Sequence, residues 1–222
     1  MRISRVKLGA AIVVALGSAS TAIAQNPPAG APPGQRGAAG GRGGGRGGGR
    51  GRAVAVMTLS TGWNDGGTIP VKYAQPGHEV SPPVTWTGAP DSTVSFVLLV
   101  HDPNAPIGNG LDDVLHWLVW NIPGTAKGLP EGYPQGPDQP DGARQISVTG
   151  PYYRAPAAPA SGPPHHYVFE LFALDAMVNV PAVGGTYEKM QSPADTRAAV
   201  MAAMAGHIRG KAVAVGTYKR SP

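Results

Sequence analysis

Cysteine is absent from the 222-residue chain. This absence excludes disulfide bonds, thiolate catalysis, cysteine-bound zinc and a lipid-modified N-terminal cysteine. Acidic residues are absent from the first 52 positions, and the remaining region, 53–222, holds 13 acids against ten basic residues. The excess of positive charge therefore belongs to the N-terminal region alone. A basic nucleic-acid-binding domain is not expected, and nucleic acid is not favoured as a partner.

The first 24 residues have the layout of an export signal. A basic start is followed by the apolar run Leu8–Leu16 and by small residues that end in Ala22-Ile23-Ala24. The run is far shorter than the roughly 20 residues that span a bilayer. We predict cleavage after Ala24 and a periplasmic or secreted protein without a transmembrane segment. An uncleaved N-terminal anchor helix is the alternative.

Residues 25–52 differ in composition from the rest of the chain. They contain 12 of the 33 glycines, five arginines and no periodic apolar residues. Such a segment cannot bury enough surface to offset its chain entropy, so we predict a disordered, Arg/Gly-rich linker. A plain spacer is favoured over binding to an anionic envelope surface. The folded domain is then 53–222.

Apolar, β-branched runs dominate the predicted domain. The runs are Val94–Val100, Val114–Ile122, Tyr167–Leu174 and Ala212–Tyr218. Clusters of Gly, Pro, Asn and Asp separate them, which indicates a mainly β domain with long Pro-rich loops. Several runs are apolar on both faces, which favours strands covered on both sides, as in two packed sheets.

One helix is predicted near the C-terminus. Ser192 stands at the N-cap, Pro193 at the first helical position and Asp195 at the third. Alanine-rich turns continue to Ala205, and Gly206 suits the C-cap.

Three polar positions are candidates for a functional site. Asp102 follows a buried strand, in a turn that two prolines hold rigid. His116 lies within a strand, where period-two alternation puts it on one face with Leu118 and Trp120 and puts Trp117 opposite. His165 ends a Pro-rich loop. One carboxylate with two imidazoles also suits a metal site, but no closely spaced ligand motif supports one.

Ordered motifs in this region resemble those of the phosphatidylethanolamine-binding protein family, also called the Raf kinase inhibitor protein family, in its bacterial branch. The resemblance extends over nearly all of 53–222. Its first signature comprises Ser81-Pro82-Pro83, Trp86-Thr87-Gly88, Asp102-Pro103, His116-Trp117 and Asn121-Ile122-Pro123. Its second is the run PYYRAPAAPASGPPHHYVFELFALD, in which a step of six positions leads from Pro159 to His165.

The resemblance implies a two-sheet β-sandwich core with a small cavity for phosphate, phosphoethanolamine-like headgroups or other small anions. Carried over by position, the ligand-binding residues are Asp102, Pro103, His116, Tyr153, Pro159, His165 and Tyr167. Two residues depart from the family pattern, since Asn104 replaces a usual second Asp and Ala155 replaces a common Gly. An insertion-like stretch, Ile107–Asp113, also lengthens the loop before His116 at the pocket rim.

Binding rather than catalysis is the function that these residues favour. A protonated imidazole and Tyr hydroxyls would hold an anion, and Asp102 would keep its neighbouring histidine cationic. Ser161 lacks the context of a nucleophile, and no cofactor is expected. The leading hypothesis is an exported small-anion or phospho-headgroup-binding protein. The alternatives are a protein partner, as an inhibitor of a kinase or protease, and a metal-dependent hydrolase. Trp86 and Trp117 are expected to be structural.

Overall fold

The computed structural model describes residues 53–182 and 192–222, except 76, 78, 79 and 109. The predicted export signal and the predicted linker lie outside the described residues, so both stay predictions. Within the described part of the chain, no helix is long and apolar enough to cross a membrane.

The described residues form two β-sheets. The larger sheet comprises β1 Ala55–Val56, β4 Ser95–Ile107, β5 Asp112–Pro123, β7 Arg144–Ile146, β8 His165–Leu174 and β9 Ile208–Tyr218. The smaller comprises β2 Thr58–Ser60, β3 Val84–Thr87 and β6 Gly128–Leu129. The strand order is β1-β9-β8-β4-β5-β7 in the larger sheet and β2-β3-β6 in the smaller. Among these strands, β1 and β9 pair in parallel and the other pairs are antiparallel. A 3-10 turn, Val71–Tyr73, and the helix α1, Pro193–Met204, complete the described elements.

The larger sheet is covered on both faces, which explains its doubly apolar strands. One face of β4, with Phe96 and Leu98, packs in a core that includes Trp86 of the smaller sheet. The other face, with Val97 and Leu99, packs against α1 and the residues around it. The predicted mainly β, two-sheet fold is confirmed.

The helix begins and ends where its capping residues predict. Ser192 Oγ accepts a hydrogen bond from the Asp195 backbone N–H at 3.5 Å, and Pro193 occupies the first turn. Gly206 follows with φ of 81°, a conformation that glycine adopts at little cost. Thr196, Val200 and Met204 are buried at four-residue spacing, so one stripe of α1 faces the sheet.

Strand β4 is longer than its apolar run predicts. The register with β5 jumps from Asp102–Val114 to Pro106–Asp113, so three residues of β4 between these pairs have no partner on β5. The segment predicted as a turn is therefore a bulge within a strand. The predicted loop Ile107–Asp113 is also corrected, because Ile107 pairs with Asp112 and Pro106 pairs with Asp113, so both ends of the predicted loop belong to paired strands.

Candidate functional site

Asp102 is buried in β4, beside the first residues of β8. Its side chain is only 3% exposed. One carboxylate oxygen accepts a hydrogen bond from His165 Nδ1 at 2.8 Å, and the other accepts one from the Asn104 backbone N–H at 2.9 Å. A carboxylate can only accept when ionised, so His165 donates from Nδ1. Asp102 thus fixes the orientation of the His165 ring and leaves its Nε2 without a hydrogen-bond partner among the described residues.

His116 is placed by a second bulge. The β4–β5 register passes from Val100–Trp117 to His101–Leu115, which leaves His116 as the extra residue on β5. Its ring meets Tyr167 edge-on, with centroids 5.0 Å apart.

The bulge corrects the predicted faces of β5. Tyr167 and Trp117 belong to the core shared with the smaller sheet, whereas Leu118 and Trp120 pack on the α1 side. The prediction that His116 shares a face with Leu118 and Trp120, opposite Trp117, is therefore wrong. The extra residue breaks the period-two alternation. Trp117 itself is fully buried, and its indole N–H donates to Gln145 Oε1 at 2.8 Å.

The backbone of Arg154 holds His116 from two sides. His116 Nδ1 donates to the Arg154 carbonyl oxygen at 2.7 Å, and the Arg154 N–H donates to the His116 carbonyl oxygen at 2.9 Å. Because a carbonyl can only accept, the proton of the neutral ring is on Nδ1. His116 Nε2 has no hydrogen-bond partner among the described residues. It is absent from the set of fully buried side-chain atoms that lack a partner, so it is at least partly accessible.

Burial lowers the pKa of His116, which is only 4% exposed. The hydrogen bond to the Arg154 carbonyl and the charge of Asp102 act in the opposite direction, and the Arg154 guanidinium adds to the lowering. The expectation that Asp102 keeps a neighbouring histidine cationic therefore fails for His116. The charge of Asp102 does raise the pKa of His116, as expected, but desolvation of the charged ring lowers that pKa by more.

Tyr167 ties the Pro-rich loop to β8. Its hydroxyl oxygen accepts hydrogen bonds from the backbone N–H groups of Ala157 and Ala158, at 3.3 Å and 3.2 Å. Burial raises the pKa of Tyr167 to about 12, and the Asp102 carboxylate adds to the shift. The hydroxyl is therefore neutral over the physiological range, and it holds the loop as one wall of the site.

These groups surround one pocket of about 220 Å³. Its lining residues are Asp102, Ala105, Val114, His116, Arg154, Ala157, Ala158, Pro159, His165 and Tyr167. Five of the seven predicted ligand-binding residues thus meet at one place, although ligand binding by them stays a prediction.

The structure does not bring the other two predicted residues to this pocket. Pro103 lies on the exposed bulge of β4. Tyr153 is buried, packs edge-on against Trp117 and donates its hydroxyl to the Tyr73 carbonyl oxygen at 3.1 Å. Adjacent residues of an extended loop point in alternate directions, so the loop turns Tyr153 into the core and Arg154 into the pocket.

Arg154 is the one charged residue among the five lining residues that the sequence interpretation missed. It is half-buried, and no acidic side chain of the described residues pairs with it. The sequence does show that Arg154 is the one basic residue in the Pro-rich loop. It does not show the direction in which the Arg154 side chain points.

Asn104 reinforces the β4 bulge. Its side-chain oxygen accepts from the His166 backbone N–H at 2.8 Å and lies 2.9 Å from His166 Nδ1. The residue that departs from the family pattern therefore ties the bulge to β8 without adding a negative charge. Ala155, the second departure, is fully buried in the core.

A larger cavity, of about 430 Å³, lies between α1 and the β4–β5 hairpin. It contains none of the predicted site residues. Ser192, which follows directly after the residues that the structure does not describe, belongs to its lining. The smaller pocket is the candidate site because it alone collects the predicted imidazoles and carboxylate. Among the residues that the structure describes, no three His, Asp or Glu side chains lie close enough to hold a metal ion.

Comparisons with known proteins point to one family. The family model described as phosphatidylethanolamine-binding protein matches residues 59–219 of this chain. A UPF0098 protein of Methanothermobacter thermautotrophicus is 35% identical over 167 residues, which cover 74% of this chain and 99% of that protein. The UPF0098 protein YbhB of Escherichia coli is 35% identical over 124 residues, covering 53% of this chain and 77% of YbhB.

A solved structure is consistent with the same family. The crystal structure of CT736 from Chlamydia trachomatis, described as a putative phosphatidylethanolamine-binding protein homolog, is similar with a TM-score of 0.57. The two chains are 28% identical, and the match covers 75% of this chain and 99% of CT736.

Proposed function

This chain belongs to the phosphatidylethanolamine-binding protein family, and we propose that it is an exported, non-catalytic protein that binds a small anion or a phosphorylated headgroup. The family membership supports a binding protein in general. The anion and the export are the specific parts of the proposal, and each rests on its own observation.

The convergence of three nitrogen groups at one pocket carries the proposal. His116 and His165 each commit Nδ1 to a fixed acceptor, which leaves Nε2 free, and the Arg154 guanidinium joins them in the lining. Guanidinium and protonated imidazole groups donate charge-assisted hydrogen bonds to phosphoryl oxygens. The only acid of the lining, Asp102, already accepts hydrogen bonds from His165 and from a backbone N–H.

The size of the pocket supports a headgroup rather than a whole lipid. Its volume of about 220 Å³ is below the roughly 300–1,000 Å³ that is typical of sites for drug-sized ligands. A phosphate or a phosphoethanolamine group fits this scale. An acyl chain would have to stay outside.

The lining supports binding more than catalysis. It contains no serine, threonine or lysine that could act as a nucleophile beside the imidazoles. Ser161, the serine of the Pro-rich loop, is exposed and does not belong to the lining. The export rests on the layout of Met1–Ala24.

Calorimetric titration of the purified exported protein with inorganic phosphate and with phosphoethanolamine tests the proposal. We expect saturable, one-site binding that His165→Asn weakens, because the variant loses a ring nitrogen at the pocket. His207→Asn is the matched control, since His207 does not belong to the lining and bonds to Asp175.

Two results would contradict the proposal. One is the absence of binding heat with either anion under conditions in which the protein is folded. The other is zinc-dependent turnover of p-nitrophenyl phosphate that His165→Asn abolishes, which would support the hydrolase alternative instead.

A further inference from the structure

We propose that Arg154 is the specificity-determining residue of the pocket, because it favours a terminal phosphate with two negative charges over a phosphodiester with one. This inference rests on the proposed function, since it concerns the ligand of the same pocket. It names the chemical class of that ligand as a phosphomonoester.

The position of Arg154 is set by its backbone. Both its N–H and its carbonyl group bond to His116, and the flanking residues Tyr153 and Ala155 are buried in the core. The side chain of Arg154 therefore lies outside the core that holds its two neighbours, and Arg154 is one of the residues that line the pocket. Replacement of the side chain leaves both backbone hydrogen bonds possible.

Arg154 differs from the other described arginines in having no side-chain partner. Arg144, Arg197 and Arg209 each pair with an aspartate, and Arg220 bonds to Gln75. No nitrogen of the Arg154 guanidinium is among the fully buried side-chain atoms without a partner, so the group remains open to an anion that enters the pocket. Its charge reaches the site, because it contributes to the lowered pKa of His116.

The chemistry of the guanidinium selects the ligand. Its planar fork donates two parallel hydrogen bonds to two oxygens of one group, and its charge persists at every relevant pH. A terminal phosphate offers three oxygens that share two charges at pH 8, above its second pKa near 6. A phosphodiester offers two oxygens that share one charge. The monoester therefore gains more from Arg154 than the diester does.

The test is a calorimetric comparison of phosphoethanolamine with glycerophosphoethanolamine at pH 8, with thermal unfolding as the check of folding. We expect the wild type to bind the monoester at least about tenfold more tightly. Arg154→Gln should weaken the monoester by about tenfold or more and remove most of the preference. Arg154→Lys, which keeps the charge and loses the fork, should retain part of both. Lys127→Gln is the control, because it removes one positive charge at an exposed position outside the lining.

The outcomes separate the inference from the proposed function. If the wild type binds neither compound nor inorganic phosphate, the proposed function fails. If the wild type binds but Arg154→Gln keeps the same ratio of affinities, only the role of Arg154 is overturned. Should Arg154→Gln not fold, an unchanged ratio in Arg154→Lys together with unchanged affinity would overturn it equally.

Discussion

Lowering the pH should strengthen anion binding through His116. The Nδ1 proton is committed to the Arg154 carbonyl, so only protonation at Nε2 makes the ring a donor toward the pocket. Burial holds the pKa of His116 below its usual value of 6.5. An anion therefore binds tightly when the ring is charged, and this gain is lost as the pH rises through the pKa.

The size of the effect follows from one charge-assisted hydrogen bond. Such a bond contributes about 1.5–3 kcal/mol, and each tenfold change in affinity corresponds to about 1.4 kcal/mol. We therefore expect the affinity to increase by about one to two powers of ten as the pH falls. The full gain should be reached only below pH 6.5, because burial outweighs the Arg154 carbonyl and the charges of Asp102 and Asp113 and holds the pKa of the unliganded ring below that value.

Titration with sulfate between pH 5 and 8 is the appropriate assay, because sulfate stays a dianion while phosphate titrates near pH 6. His116→Asn should weaken the pH dependence, and its amide can still donate to the Arg154 carbonyl. Asp102→Asn should move the rise to lower pH, since it removes a charge that favours the cationic ring. His165→Asn separates the contribution of the second ring.

Two results would refute this reasoning. One is an affinity of the wild type that does not change across the pH range. The other is an unchanged slope in His116→Asn, which would assign the titration to another group at the pocket.

Four further predictions concern the rest of the chain. Mass spectrometry of the exported protein should find an N-terminus directly after Ala24, and retention of Met1 would contradict cleavage. Deletion of residues 25–52 should leave the melting temperature nearly unchanged, whereas a drop of many degrees would show that the segment is docked. Trp117→Ala should cost about 3–5 kcal/mol in urea unfolding, because the side chain is fully buried; normal stability with lost ligand binding would reverse the assignment. The pKa of Glu170 falls from 4.5 to about 2, mainly because His101 forms a hydrogen bond to its carboxylate. The shift corresponds to up to roughly 3 kcal/mol of folding stability, which should be present above pH 4.5 and lost as the pH falls toward 2. Glu170→Gln should flatten that loss, and an unchanged acid profile would argue against it.

The sequence by itself determined the architecture and half of the residues that line the candidate pocket. Strands that are apolar on both faces require cover on both sides, and the structure supplies the smaller sheet on one face and α1 on the other. Ser192 and Gly206 mark the helix because capping is a local matter of a few backbone groups. The family resemblance identified Asp102, His116 and His165, which do meet at one pocket.

Only the tertiary structure decided how those residues are arranged. The bulges at His116 and after Asp102 arise from the register between β4 and β5, and a single strand contains no record of its partner's register. The direction of Arg154 depends on the core that holds Tyr153 and Ala155, which is assembled from distant segments. The protonation of His116 depends on burial, a property of the whole fold, and that burial outweighs the neighbouring carboxylate that the sequence alone could name.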